Sequence, residues 1–169
     1  MPGQPKQGAV LVIVYAKNDE AYLVLTRRRD DLNAHAGQIS FPGGQVETGE
    51  TLPMAAIREA NEEIGLSISN LAMLGELSTI YIPPTDFEVH PFVAWHDGIP
   101  HFTPQDREVA EILEVSISHL LNPETQGEEV WDLRGFSVEV PFYLVGSHKV
   151  WGATAIMMSE FLDRLRMVT

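Results

Sequence analysis

The sequence of 169 residues contains no cysteine, little positive charge and no long apolar segment. Without cysteine there is no disulfide framework, no thiol nucleophile and no Cys-ligated zinc site. The longest apolar segment, residues 9–16, is well short of the roughly 18 residues that suggest a membrane span. Charged residues follow it at once, which does not fit a signal peptide. We therefore predict a cytoplasmic location and no membrane partner.

Positive charge is scarce: 11 Lys and Arg residues face 24 Asp and Glu residues, which gives a formal net charge of −13. Such a field repels phosphate backbones, so we predict no nucleic-acid partner. A small anionic substrate is still compatible with this charge, provided that divalent cations lie between the carboxylates and the ligand's phosphates. Solubility alone is also a sufficient reason for an acidic surface, so the charge by itself does not indicate a function.

The remaining composition, 44% hydrophobic and 21% charged, is typical of an ordered globular chain. No repeat, low-complexity tract or flexible linker divides the sequence, so we predict a single domain over residues 1–169. Apolar runs and alternation predict strands, and two segments have helical periodicity. The predicted strands are residues 8–16, 21–28, 76–81, 87–95, 112–117, 129–133 and 136–145, and the predicted helices are residues 51–64 and 153–167. This interleaving indicates an α/β fold with a mixed sheet between helices.

The predicted helix over residues 51–64 has clear signals at both ends. Thr51 is a good N-cap residue, and Pro53 falls in the first turn, where its missing N–H is not needed. Gly65 can end the helix in a left-handed conformation, with Leu66 packing behind it.

One face of this helix carries Glu59, Glu62 and Glu63, which are spaced i, i+3 and i+4. Like charges at this spacing repel each other and cost a few tenths of a kcal/mol. A hard divalent cation reverses that cost, because Mg²⁺ prefers oxygen ligands and usually binds one or two carboxylates together with substrate phosphates. A Glu-rich face that is merely solvated is the alternative interpretation.

The segment around this helix resembles the Nudix box, a motif with the pattern G-x5-E-x7-R-E-U-x-E-E-x-G-U, in which U is a bulky aliphatic residue. Ala60 at the first U position is smaller than usual but apolar. The resemblance implies a Nudix hydrolase with an α/β/α sandwich around a mixed sheet, which cleaves a diphosphate with the help of Mg²⁺ or Mn²⁺. The matching residues are Gly44, Glu50, Arg58, Glu59, Glu62, Glu63, Gly65 and Leu66.

The resemblance also implies roles for the charged residues of the motif. Glu59 and Glu63 are expected to be metal ligands, and Glu62 a further ligand or the base that activates water. Glu50 and Arg58 are expected to form an orienting pair. This agrees with general chemistry, because hydrolysis of a diphosphate requires a Lewis acid, a positioned water and a proton acceptor.

A second motif lies upstream and resembles the coenzyme A diphosphatase branch of the Nudix hydrolases. Its matching residues are Leu25, Thr26, Arg28, Gly37, Phe41, Pro42, Gly43 and Gly44. Arg29 replaces a small residue of that motif, and Asn33 replaces its second arginine. The resemblance implies hydrolysis of coenzyme A to phosphopantetheine and adenosine 3′,5′-bisphosphate. Thioesters of coenzyme A are additional candidate substrates.

In this branch the substrate-binding residues are expected to be Arg28, Phe41, Gly43 and Gly44. Arginine suits phosphate recognition because its planar fork donates two parallel hydrogen bonds. Whether Arg28 binds a terminal phosphate or the diphosphate is open at this stage, and a charged strand end that pairs with nearby acids is the alternative. A backbone carbonyl near Gly43 and Gly44 is expected to complete the metal shell.

Several alternatives remain at the level of sequence. The substrate could be another nucleoside diphosphate derivative such as ADP-ribose, and a non-catalytic nucleotide-sensing Nudix module is a third reading. The base could be Glu62 or a downstream residue such as Glu108 or Glu111, although a solvated turn is the simpler interpretation of these two. A small-molecule substrate is the expected partner, and a homodimer is left open.

Overall fold

The computed structural model describes residues 3–31, 37–133 and 135–168. Its main sheet has eight strands: β1 (Lys6–Lys17), β2 (Glu20–Arg28), β3 (Ile39–Ser40), β4 (Gly43–Gln45), β5 (Leu71–Glu76), β6 (Ile80–Ile82), β7 (Phe87–His96) and β8 (Val109–Ser116). A second sheet contains β9 (Gln126–Leu133), β10 (Phe136–Val145) and β11 (His148–Val150). The helices are α1 (Leu52–Ile64), α2 (Ile117–Leu121) and α3 (Gly152–Val168).

The main sheet is mixed, as the sequence predicts. The strands β1 and β7 pair in parallel at its centre, and the other pairings are antiparallel. The hairpin of β1 and β2 turns at Asn18 and Asp19, whose φ angles of 53° and 61° allow the tight two-residue connection.

Helices cover both faces of the sheet, so the predicted α/β/α sandwich is confirmed. Small residues of α1, including Ala56 and Ala60, pack in one apolar cluster against Leu11 and Ile13 of β1. The opposite cluster contains the other face of β1, and there Val12 packs with buried residues of α3. Alternation along one central strand therefore supplies both cores.

The ends of α1 also follow the prediction. The Thr51 side chain accepts a hydrogen bond from the amide of Met54, and Pro53 occupies the first turn. Gly65 ends the helix with φ 67°, and its amide donates to the carbonyl of Asn61.

The predicted strand over residues 76–81 is wrong. Strand β5 ends at Glu76, and β6 begins only at Ile80. Between them, the amide of Ser78 donates to the carboxylate of Glu160 on α3, at 2.8 and 3.0 Å, instead of to a neighbouring strand. A side chain from a helix that is distant in sequence thus interrupts the strand-to-strand hydrogen bonding between residues 76 and 80.

The second sheet extends the predicted hairpin over residues 129–133 and 136–145. Strand β11 was not predicted, because a three-residue strand carries too little periodicity to be recognised. Among the described residues, no helix is long and apolar enough to cross a membrane.

Candidate active site

Arg58 of α1 lies at the centre of a network of carboxylates. Its Nε and Nη2 atoms donate to the two oxygens of Glu50 at 2.6 and 3.0 Å, and Nη2 also donates to the carbonyl of Gln45 at 3.1 Å. Its Nη1 atom donates to Glu59 at 3.0 Å and to Glu62 at 3.2 Å. A bidentate pair of this kind is strong and directional, so it ties α1 to the loop that precedes it.

Glu50 faces Arg58 as a charged carboxylate rather than as a proton carrier. The hydrogen bonds from Arg58, together with one from the amide of Glu47, hold the pKa of Glu50 below its ordinary value. The pair is therefore placed to orient the helix and its neighbouring carboxylates.

Glu59 and Glu63 are the two acidic residues of α1 that are buried most deeply at the site. Burial raises the pKa of both, and the negative charge of Glu108 raises it further. For Glu63, burial and the charge of Glu59 outweigh the favourable effects of the Gly43 amide and Arg28, and its pKa rises to about 8. A site that disfavours its own negative charge in this way is one in which a bound cation is stabilising.

Glu62 differs from these two because its side chain is 57% exposed. It keeps an ion pair with Arg58 and lies at the outer edge of the carboxylate face. The negative charge of Glu62 contributes to the raised pKa of Glu59.

Gly43 and Gly44 bring the backbone of β4 against α1 and β1. A Cβ atom on Gly44 would lie 2.5 Å from the carboxyl carbon of Glu59. A Cβ atom on Gly43 would lie 2.7 Å from the Cα atom of Val10. The backbone of β1 requires glycine at position 43, whereas a Cβ atom at position 44 would displace the Glu59 carboxylate.

The segment after α1 carries a further carboxylate, Glu108, to the site. The amide of Thr103 donates to the carbonyl of Ile64 at 2.8 Å, and the amide of Gln105 donates to the carbonyl of Glu63 at 2.8 Å. Glu108 then lies close enough to contribute to the raised pKa of Glu63. The sequence analysis named Glu108 and Glu111 as downstream candidates for the base but could not place either, because the position of Glu108 depends on these contacts between segments. Glu111 lies elsewhere, where it pairs with Arg27 and His148.

Arg27 and Arg28 are the last two residues of β2, and Arg29 follows the strand. The pairing of β2 with β8 shifts register between Arg27 and Arg28. The charge of Arg28 reaches Glu63 and lowers the pKa of that carboxyl group. Arg27 instead pairs with Glu111 and Asp30, and Arg29 pairs with Asp31 and donates to the carbonyl of Asp106. Arg27 and Arg29 therefore pair with nearby acidic residues, and Arg28 lies close enough to Glu63 to affect that carboxyl group.

Phe41 lies inside the protein and not on the surface of the site. It is 1% exposed and belongs to the apolar cluster on the α3 side. In this position it anchors the loop that continues into Gly43 and Gly44, and a direct contact with substrate is not available to it. Asn33 lies outside the described residues.

The donors at the site fit a hard divalent cation. Among residues 3–31, 37–133 and 135–168, no three acidic or histidine side chains form a ready-made ligand cage. Mg²⁺ needs no such cage, since it usually retains waters and binds one or two carboxylates plus substrate phosphates. Glu59 and Glu63, whose charges are disfavoured by burial, are the residues that suit this role.

Comparison with known proteins agrees with this geometry. The sequence profile of the NUDIX domain matches residues 5–133. The chain belongs to the Nudix hydrolase family. That match covers the main sheet, α1 and the Glu108 segment, and it ends at the last residue of β9.

Curated Nudix relatives match between about two thirds and nearly all of the chain. Identity is 32% over 96% of this chain and 79% of the mitochondrial coenzyme A diphosphatase NUDT8 of Mus musculus. For NUDT8 of Homo sapiens the identity is also 32%, over 96% of this chain and 70% of that protein. The Nudix hydrolase NudL of Pectobacterium atrosepticum is 39% identical over 68% of this chain and 59% of its own length.

Solved Nudix structures share the fold at low sequence identity. A MutT/nudix family protein from Enterococcus faecalis aligns with a TM-score of 0.66 and 17% identity, over 99% of this chain and 64% of that chain. An Ap4A hydrolase from C. elegans aligns with a TM-score of 0.58 and 20% identity, over 67% of this chain and 81% of that chain. These similarities establish the fold and leave the substrate open.

Proposed function

We propose that this Nudix hydrolase cleaves the diphosphate bond of coenzyme A and yields phosphopantetheine and adenosine 3′,5′-bisphosphate. The single observation that supports this substrate is the 32% identity to coenzyme A diphosphatases over 96% of the chain. The arrangement of Glu59, Glu63 and Arg28 supports the reaction class independently of the substrate. A cytoplasmic location and a single domain over residues 1–169 remain predictions.

In this proposal Glu59 and Glu63 hold the divalent cation, Mg²⁺ or Mn²⁺, with Glu62 as a further ligand. When bound, the cation neutralises the phosphate oxygens and lowers the pKa of water. Arg58 and Glu50 keep the carboxylates of α1 in place through the bidentate pair.

The reaction itself is an addition of water to one phosphorus atom of the diphosphate. One new P–O bond forms, the bond from that phosphorus to the bridging oxygen breaks, and two phosphate monoesters leave. A carboxylate takes the proton of the water, and Glu62 and Glu108 are the two candidates for this base. Because Glu62 is also proposed as a metal ligand, the two Gln variants are compared at saturating Mg²⁺, and a larger loss of kcat in Glu108→Gln than in Glu62→Gln assigns the base to Glu108.

Arg28 is proposed to bind the diphosphate rather than a distant phosphate. Its guanidinium is close enough to Glu63 to lower the pKa of that carboxyl group. In an acidic chain, a cation beside the metal-binding carboxylates is suited to the anionic substrate that must lie there. Gly43 and Gly44 are proposed to line the same part of the site with backbone.

A substrate panel tests the proposed function. The protein is assayed with Mg²⁺ on coenzyme A, acetyl-coenzyme A, dephospho-coenzyme A, ADP-ribose and NADH, and kcat/KM is compared after product identification. The proposal predicts the highest kcat/KM for coenzyme A or its thioester. A preference of about tenfold or more for ADP-ribose would replace the substrate but retain the family mechanism. No turnover of any diphosphate would support a sensing module.

A further inference from the structure

Gln105 connects the helix that carries Glu63, through its main-chain amide, to the turn that carries Glu108, through its side chain. Its main-chain amide donates to the carbonyl of Glu63 at 2.8 Å. Its side-chain oxygen accepts hydrogen bonds from the amide of Arg107 at 2.8 Å and from the amide of Glu108 at 3.2 Å. One residue thus contacts both segments that bring carboxylates to the site.

Backbone hydrogen bonds also hold the turn at both of its ends. The carbonyl of Gln105 accepts from the amides of Glu108 and Val109, at 3.1 and 2.9 Å. The carbonyl of Glu108 accepts from the amide of Arg29 at 2.9 Å, which joins the turn to the end of β2. The backbone of Glu108 is therefore bonded on both sides, although its side chain is exposed.

We propose that Gln105 is a positioning residue, whose side-chain oxygen holds the turn so that the carboxylate of Glu108 faces those of Glu59 and Glu63. This inference rests on the proposed hydrolysis at that site but not on which diphosphate is cleaved. The hydrogen bonds of the Gln105 side chain described above go to the turn, and none of them goes to the three carboxylates. Its effect on the reaction must pass through Glu108.

The variant Gln105→Met tests the role of the oxygen, because it keeps the length of the side chain and removes the acceptor. Gln105→Glu keeps an acceptor at the same distance from the backbone and serves as the rescue variant. Gln126→Met is the matched control, since it removes another glutamine hydrogen bond, to the carbonyl of Leu120 at 2.6 Å. Wild-type protein and Glu63→Gln are assayed in parallel on the best substrate of the panel.

The first readout is amide hydrogen exchange by NMR in metal-free protein. Loss of one hydrogen bond is expected to speed exchange of the Arg107 amide roughly 3- to 10-fold in Gln105→Met. The amide of Thr103, which donates to Ile64, is the internal control and is expected to keep its rate. Gln105→Glu restores slow exchange at Arg107. Unchanged exchange in Gln105→Met would overturn the proposal whether or not the protein is an enzyme.

The second readout is a double-mutant cycle of Gln105→Met and Glu108→Gln. Misplacement of a catalytic group is expected to lower kcat about 10-fold or more with KM nearly unchanged. In the Glu108→Gln background, Gln105→Met is expected to change kcat by less than about 2-fold, because both variants disable the same group. Additive losses, or a normal kcat in Glu108→Gln, would overturn the proposal. Failure of the proposed hydrolysis looks different, since wild-type protein would then turn over no diphosphate in the panel, whereas a change of substrate leaves this cycle measurable.

Discussion

At the scale of single residues, the site contains carboxyl groups whose negative charge is disfavoured by burial. Glu63 is the clearest case, because burial and the charges of Glu59 and Glu108 raise its pKa to about 8. Such an arrangement costs stability in the absence of a counter-ion. We interpret it as a site whose geometry is completed by a cation and an anionic substrate.

Replacement of Glu63 by Gln should therefore separate activity from stability. We expect kcat to fall by at least about 100-fold, because the proposed metal ligand is lost. The thermal midpoint of metal-free Glu63→Gln should equal or exceed that of the wild type, since the substitution removes a disfavoured charge. Calorimetry and steady-state kinetics measure the two effects. Glu128→Gln, on an exposed position of β9, is the control, and a near-normal kcat in Glu63→Gln would exclude Glu63 as a ligand.

Arg28 gives a second prediction at the residue scale. If Arg28 binds the diphosphate, Arg28→Ala should lower kcat/KM about 10- to 150-fold on both coenzyme A and dephospho-coenzyme A, which corresponds to one charge-assisted contact of roughly 1.5–3 kcal/mol. Arg29→Ala, whose side chain pairs with Asp31, should change kcat/KM much less. A loss confined to coenzyme A would instead place Arg28 at the 3′-phosphate.

At the scale of elements, close contact between β4, β1 and α1 sets the shape of the site. The two glycines of β4 face different neighbours. Gly43 adjoins the backbone of β1, which cannot yield, whereas Gly44 adjoins the end of the flexible Glu59 side chain. The same chemical change at the two positions should thus have different consequences.

We expect Gly43→Ala to destabilise the fold by about 1–3 kcal/mol, because an overpacked methyl group meets backbone atoms. That loss corresponds to a fall of roughly 2–12 °C in thermal midpoint for a chain of this size. Gly44→Ala should lose little stability but much of kcat, because its Cβ displaces the Glu59 carboxylate. Calorimetry and kinetics on both variants check this. If Gly43→Ala and Gly44→Ala lost the same stability and had the same kcat, the close approach of Gly44 would not control the position of the Glu59 carboxylate.

Local signals predicted most of the elements, and long-range contacts account for the errors. The capping residues of α1 lie within the helix's own sequence, so its limits could be read from Thr51 and Gly65. The break between β5 and β6 depends on Glu160, which is distant in sequence from Ser78. Likewise, the burial of Phe41 and the approach of Glu108 to α1 depend on tertiary packing that no short motif encodes.

At the scale of the whole molecule, the net charge of −13 makes the protein sensitive to divalent cations. General screening lowers repulsion for any salt, whereas a specific site adds stability by mass action. Mg²⁺ at about 100 times its dissociation constant should stabilise the folded protein by roughly 2.7 kcal/mol, which corresponds to a rise of about 5–11 °C in thermal midpoint. NaCl at equal ionic strength controls for screening. The excess rise should disappear in Glu63→Gln, and an unaltered rise in that variant would contradict a site at α1.

The most direct test of the central claim is mass spectrometry of the products formed from coenzyme A in ¹⁸O-labelled water. With Mg²⁺ present, we predict phosphopantetheine and adenosine 3′,5′-bisphosphate in equal amounts, with one ¹⁸O atom on one of the two products. Removal of bound metal and addition of excess chelator should abolish both products, and added Mg²⁺ should restore them. Intact coenzyme A beside a cleaved ADP-ribose control, or full activity in chelator, would contradict the account.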